Sequence, residues 1–214
     1  MPLLALFIDV GTATPLVAFM GFSISLMILL RHWKAAYIEG LWRLILFCLL
    51  GIPLGLYFLK YADERIIKLC LAIVIILFSM LNLLKINKFA LKNEKAAWIF
   101  GLISGALGGA YNTNGPPVII YGRLRNWEAQ NFRAILQTVF LPTNLFIIIG
   151  QGAAGFWTAN VLKLFVISLP SLILGTLAGA LINRKTKSGQ FKAAVDILLI
   201  VIGIVLIANT IFTK

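Results

Sequence analysis

Six stretches of the chain, about 12–30, 41–59, 66–84, 132–150, 161–182 and 193–212, are nearly unbroken apolar runs. Roughly 20 such residues in helical form cross the ~30 Å hydrocarbon core of a bilayer. Inside that core every backbone N–H and C=O must be paired, so a lone apolar run of this length crosses as an α-helix. The pattern predicts an all-α polytopic membrane protein with six full transmembrane helices. Composition agrees: 61% of the 214 residues are apolar and 12% are charged. That charged share is about half that of a soluble domain and could not cover a soluble surface.

A seventh apolar stretch, 97–121, is interrupted by Tyr111-Asn112-Thr113-Asn114-Gly115-Pro116-Pro117. Proline lacks a donor and disfavours helix in its predecessor, so the helix should end there and leave two halves too short to cross. Charge decides how the halves sit. The formal charge of +12 would point to nucleic acid in a soluble domain, but here it sorts by loop. If 97–121 is re-entrant, loops 31–43, 85–95, 122–133 and 183–192 share a face with 14 of the 19 cations. If it crosses, Arg184, Lys185, Lys187 and Lys192 fall on the opposite face. The positive-inside rule selects the re-entrant arrangement, with the cation-rich face in the cytoplasm and both termini outside. No nucleic-acid partner is implied.

The chain also matches itself. A shift of 124 sets Lys68–Leu77 on Lys192–Val201, Gly51 and Gly55 on Gly175 and Gly179, and Lys60 on Arg184. Upstream, a shift of about 121 sets Thr12-Ala13 on Arg133-Ala134, and Pro2–Leu6 resembles Pro117–Tyr121. We read residues 1–95 as a first repeat and 96–214 as a second. Three crossings per repeat make the repeats inverted. Inverted repeats with broken helices mark secondary transporters, whose site lies near the midplane. The first repeat keeps only the tail of its broken segment, and a glycine-rich apolar stretch is expected before Met1.

The run Gly101–Tyr121, with Gly108-Gly109 and Asn114-Gly115-Pro116-Pro117, resembles the second signature of the TauE/SafE sulfite exporter family. Pro2–Phe7 looks like the end of that family's first signature. The resemblance implies a multi-pass inner-membrane transporter of small sulfur-containing anions such as sulfite or organosulfonates.

An oxyanion at the midplane must find donors to replace its water. The N–H groups of a helix terminus supply them without a buried formal charge. The candidate substrate-binding residues at the break are therefore Asn112, Thr113, Asn114, Gly115, Pro116 and Pro117. In the next span Gln137 and Asn144 share a face, and the repeat alignment sets Ser23 opposite Asn144. These three are expected to line the pathway, although hydrogen bonding between helices explains them nearly as well. Arg133 is a topology cation or an anion attractor at the mouth. Gly101, Gly105 and Gly108 form a helix face best read as close packing.

Asp196, the one acid inside an expected span, is best read as an i, i+4 partner of Lys192. No deep carboxylate supports proton coupling. Cys48 and Cys70 read as packing thiols, and His32 as part of a solvated turn. No cofactor, metal cluster, phosphate loop or catalytic triad is expected, so the reading is a transporter and not an enzyme. Its partners are the lipid bilayer and a small anion, and a homo-oligomer is compatible with it. Two rivals stand beside the carrier: an anion channel, and a non-transporting membrane subunit or scaffold.

Overall fold

A computed structural model describes residues 1–31, 40–84, 94–127, 132–185 and 188–212. Among them the chain forms eight α-helices: α1 Val10–Arg31, α2 Trp42–Tyr61, α3 Glu64–Leu83, α4 Ala97–Tyr111, α5 Gly115–Leu124, α6 Phe132–Ala153, α7 Ala159–Lys185 and α8 Ser188–Phe212. A single 3-10 turn, Leu4–Leu6, precedes α1. Five helices are long and apolar enough to cross a bilayer, over Val10–Leu30, Trp42–Tyr61, Glu64–Leu83, Ala134–Ala153 and Ala159–Thr176. The sixth expected crossing falls on α8, whose apolar described part is Val195–Ile211. Of the cation-rich loops that carry the orientation, residues 32–39, 85–93, 128–131 and 186–187 lie outside the described residues.

Helix starts carry caps. Asp9 Oδ2 accepts from the Thr12 N–H at 3.0 Å, Asp63 Oδ1 from the Arg65 N–H at 2.8 Å, and Thr158 Oγ1 from the Val161 N–H at 3.2 Å. Each satisfies a donor that the first helical turn leaves open. Outward faces are apolar: Leu54 is 64% exposed, Val166 62% and Leu174 67%. In lipid such faces cost nothing, so burial is not what holds these helices together.

The tightest contact is α2 against α4. A Cβ built on Gly51 would lie 2.3 Å from the Leu102 carbonyl oxygen, and one on Gly109 2.3 Å from that of Ile52. Gly55 and Gly105 come closer still, at 2.0 Å from the carbonyl oxygens of Ala106 and Cys48. The two backbones touch, which only glycine permits. The contacts advance together along both chains, so α2 and α4 run parallel. The glycine face expected from sequence is partly corrected. Gly101, Gly105 and Gly109 meet α2, while Gly108 turns aside to Ile147 and Asn114.

The broken segment is a hairpin. The rings of Phe100 and Tyr121 lie 5.6 Å apart, and Ala97, Val118 and Tyr121 share one cluster with Leu41, Leu44 and Cys48. Since α4 alone is about 22 Å long at 1.5 Å per residue, α5 must double back beside it. Elsewhere α1 packs on α6 and α7, α2 on α6, and α3 on α8.

Candidate functional site

The break is built by its own sequence. α4 ends where Asn112 enters the left-handed region at φ 50°, ψ 38°, a conformation asparagine tolerates better than most residues. The Asn112 N–H donates to the Gly108 carbonyl at 2.7 Å and the Thr113 N–H to that of Leu107 at 3.2 Å. Thr113 Oγ1 donates to the Tyr111 carbonyl at 3.1 Å. The turn thus satisfies the last carbonyls of α4 itself. α5 then starts at Gly115 with Pro116 and Pro117 in its first turn. Proline suits that position because its ring presets the helical φ. It also deletes two of the N–H groups that a helix start would offer. Fewer backbone donors remain than the sequence argument assumed: those of Asn114 and Gly115, neither of which meets a backbone acceptor among the described residues. The positive end of the α5 dipole still points at the break.

Side-chain amides fill the role. Asn114 is 8% exposed. Its Nδ2 donates to Thr143 Oγ1 at 3.1 Å and to Asn144 Oδ1 at 3.4 Å. Its backbone carbonyl accepts from Ser104 Oγ at 2.7 Å. Thr143 passes its own proton back to the carbonyls of Val139, at 2.9 Å, and Phe140, at 3.1 Å. With its oxygen engaged, Asn144 turns its Nδ2 toward α1. A Cβ on Gly21 would sit 3.4 Å from that Nδ2 and 3.4 Å from the Nδ2 of Asn112. Two amide donors from different helices therefore converge on the bare backbone of Gly21. The cluster lies near mid-length of both α1 and α6.

Not every expected residue joins it. Asn112, Asn114 and Asn144 do. Thr113 is spent on the turn, and Gly115, Pro116 and Pro117 shape the start of α5. Gln137 is half-buried two turns from Asn144 on α6, and its Oε1 has no partner among the described residues. Ser23 does not face Asn144. Its hydroxyl donates to the Phe19 carbonyl of its own helix at 2.9 Å, and Gly21 takes the place assigned to it. The alignment makes Ser23 and Asn144 corresponding positions of two repeats, and corresponding positions need not touch. The Arg133 and Lys192 side chains lie outside the described residues. Asp196 accepts from Asn82 Nδ2 at 3.1 Å, and Asn82 Oδ1 accepts from Arg123 Nη1 at 2.7 Å. The acid thus belongs to a bridge joining α8, α3 and the end of α5. Sequence reasoning missed Gly21, Ser104, Thr143 and Asn82. Of these, Ser104, Thr143 and Asn82 carry the one available signal, a polar side chain inside an apolar run.

The profile of the family described as Sulfite exporter TauE/SafE matches residues 1–206. The chain belongs to the TauE/SafE family. This is a family of membrane transporters and not of enzymes, and a multi-pass membrane protein is what the apolar helices independently require. No match is found among curated proteins or among solved structures. Within this TauE/SafE chain, the strongest family-like string, Asn114-Gly115-Pro116-Pro117, is the one that builds the break.

Proposed function

We propose that the chain is a secondary transporter that moves a small sulfur-containing oxyanion, sulfite-like or sulfonate-like, across the inner membrane. The anion is held at the helix break, and access alternates around it while the α2–α4 seam stays fixed. The observation that carries the reading is the convergence of the Asn112 and Asn144 amides on Gly21, deep in the bundle, beside the N-terminus of α5. Neutral amide and backbone donors can replace an oxyanion's water without a fixed counter-charge that would trap it. The helix pairs support a two-fold relation between the repeats. α1–α6 and α3–α8 each join corresponding helices of the two units, and α1–α7 has its counterpart in α2–α6.

The test is flux in proteoliposomes across a panel of sulfite, thiosulfate and sulfonates. Saturable flux is expected. Asn114→Leu removes the two hydrogen bonds that hold Thr143 and turn the Asn144 amide toward α1, about 1 kcal/mol each, so flux should fall about tenfold or more while the protein still inserts. Unchanged flux in that variant refutes the site. Ohmic single-channel currents would make the protein an anion channel. No flux for any panel member would favour a non-transporting subunit.

A further inference from the structure

The α1–α6 seam carries more polar groups than the asparagine cluster uses. Gln151 on α6 is 0% exposed, and neither its Nε2 nor its Oε1 has a partner among the described residues. Thr14 on α1 is also 0% exposed, with Oγ1 unpaired. The register of the antiparallel helices brings the two together. Gly21 meets Asn144, Ala18 shares a cluster with Ile147, and Gly11 meets Phe156 just past α6. Continuing that register sets Thr14 opposite Gln151. Gln137, Asn144 and Gln151 are seven residues apart in turn, so three carboxamides recur every two turns along one stripe of α6. The outer two both keep an atom with no protein partner.

A buried amide without a partner is costly, and an apolar side chain of the same shape would avoid the cost. Its position on the stripe that holds the asparagine cluster supplies a reason to keep it. We propose that Gln151 and Thr14 form a second polar station on the permeation path, between the asparagine cluster and the α6–α7 end of the bundle. There Gln151 Nε2–H and Thr14 Oγ1–H receive oxygens of the permeating oxyanion, and Gln151 Oε1 accepts from water that travels with it. The inference rests on the transport reading above and adds a second binding place to it.

The test uses the full chain with Cys48 and Cys70 replaced by alanine, carrying Gln151→Cys or, as a lipid-facing control, Ile149→Cys. Both are exposed to a membrane-impermeant anionic thiosulfonate reagent, with and without isethionate as a competing sulfonate. The Gln151→Cys variant should label faster than the control. Isethionate at about twice its dissociation constant should slow that labelling about threefold. Labelling no faster than the control, or labelling that isethionate leaves unchanged, overturns the station. If Thr14→Val also lowers thermal stability in the unlabelled case, the pair is an interhelical hydrogen bond. Wild-type flux separates the two failures. Saturable flux with an unlabelled Gln151→Cys variant sinks the second station alone, whereas absent flux sinks the transport reading itself.

Discussion

Where α2 meets α4, glycine lies against backbone along about two and a half turns of α4, and no side chain fits between. Where α1 meets α6, the contact runs through amides and hydroxyls, several with hydrogen-bonding atoms to spare. Both are helix pairs of similar length in the same apolar setting. In lipid neither gains from burying apolar surface, so each must be held by what its side chains permit. The first seam gains close van der Waals contact along its whole length and has one arrangement. The second is held by a few hydrogen bonds, and its unpaired groups can be satisfied by something that moves through. The contrast separates a supporting element, which carries the break on α4, from the surface the break faces.

The largest effect should come from breaking the dry seam. In Gly105→Leu the new Cβ would meet the Cys48 carbonyl carbon at 2.8 Å and its oxygen at 2.0 Å, and backbone cannot step aside cheaply. The cost should reach or pass the ~3 kcal/mol upper range of ordinary overpacking. Little or no monodisperse protein should be recovered in detergent. A folded, active Gly105→Leu variant would mean that the α2–α4 contact is not the support claimed for it.

The same kind of change in the wet seam should act on flux and spare the fold. Gly21→Val places its Cβ at an ordinary 3.4 Å from both amide nitrogens, and its methyl groups then cover them. Thermal unfolding should shift little, while anion flux falls about tenfold, the value of one hydrogen bond to a charged partner. A variant that unfolds but transports normally when rescued at low temperature would reverse the roles of the two seams.

How far the sequence reaches follows the same division. The long helices were legible because apolar length and helical continuity are properties of a single segment. The break was legible because Asn114-Gly115-Pro116-Pro117 can scarcely do anything else. Partners across space were not. Gly108 reads as one face with Gly101 and Gly105, yet it serves Asn114. Ser23 turns to its own helix while Gly21, two positions earlier, meets Asn144, and nothing in an apolar run marks which of them does. Asp196 has a plausible local partner in Lys192, and its distant partner Asn82 leaves no mark in the local pattern.

That distant bridge should give a smaller effect than either seam. Asn82→Leu removes both the acceptor for Arg123 and the donor to Asp196, at about 1 kcal/mol per bond. For a chain of this size each kcal/mol lowers the melting temperature by roughly 2–4 °C. Asp196→Asn keeps an amide oxygen for Asn82 and should cost less. Equal losses in the two variants would show that Asp196 is held by something other than Asn82.

The smallest effect sharpens what the glycines mean. Gly51 and Gly55 match Gly175 and Gly179 on the sequence shift of 124, and both pairs read Gly-x-x-x-Gly. In α2 that spacing is filled by α4. In α7 a Cβ on either glycine would meet nothing within 4 Å, and the pair opens on a groove of about 430 Å³ beside Met20 and Ile24 of α1. The double variant Gly175→Ala, Gly179→Ala should therefore change stability by no more than about 0.5 kcal/mol, as at an uncrowded surface. Gly51→Ala, Gly55→Ala should lose most folded protein. Thermal unfolding of the two double variants side by side measures the difference. A large loss from the α7 pair would show that its face is packed in the membrane after all, and that the motif is read by a neighbour on both helices.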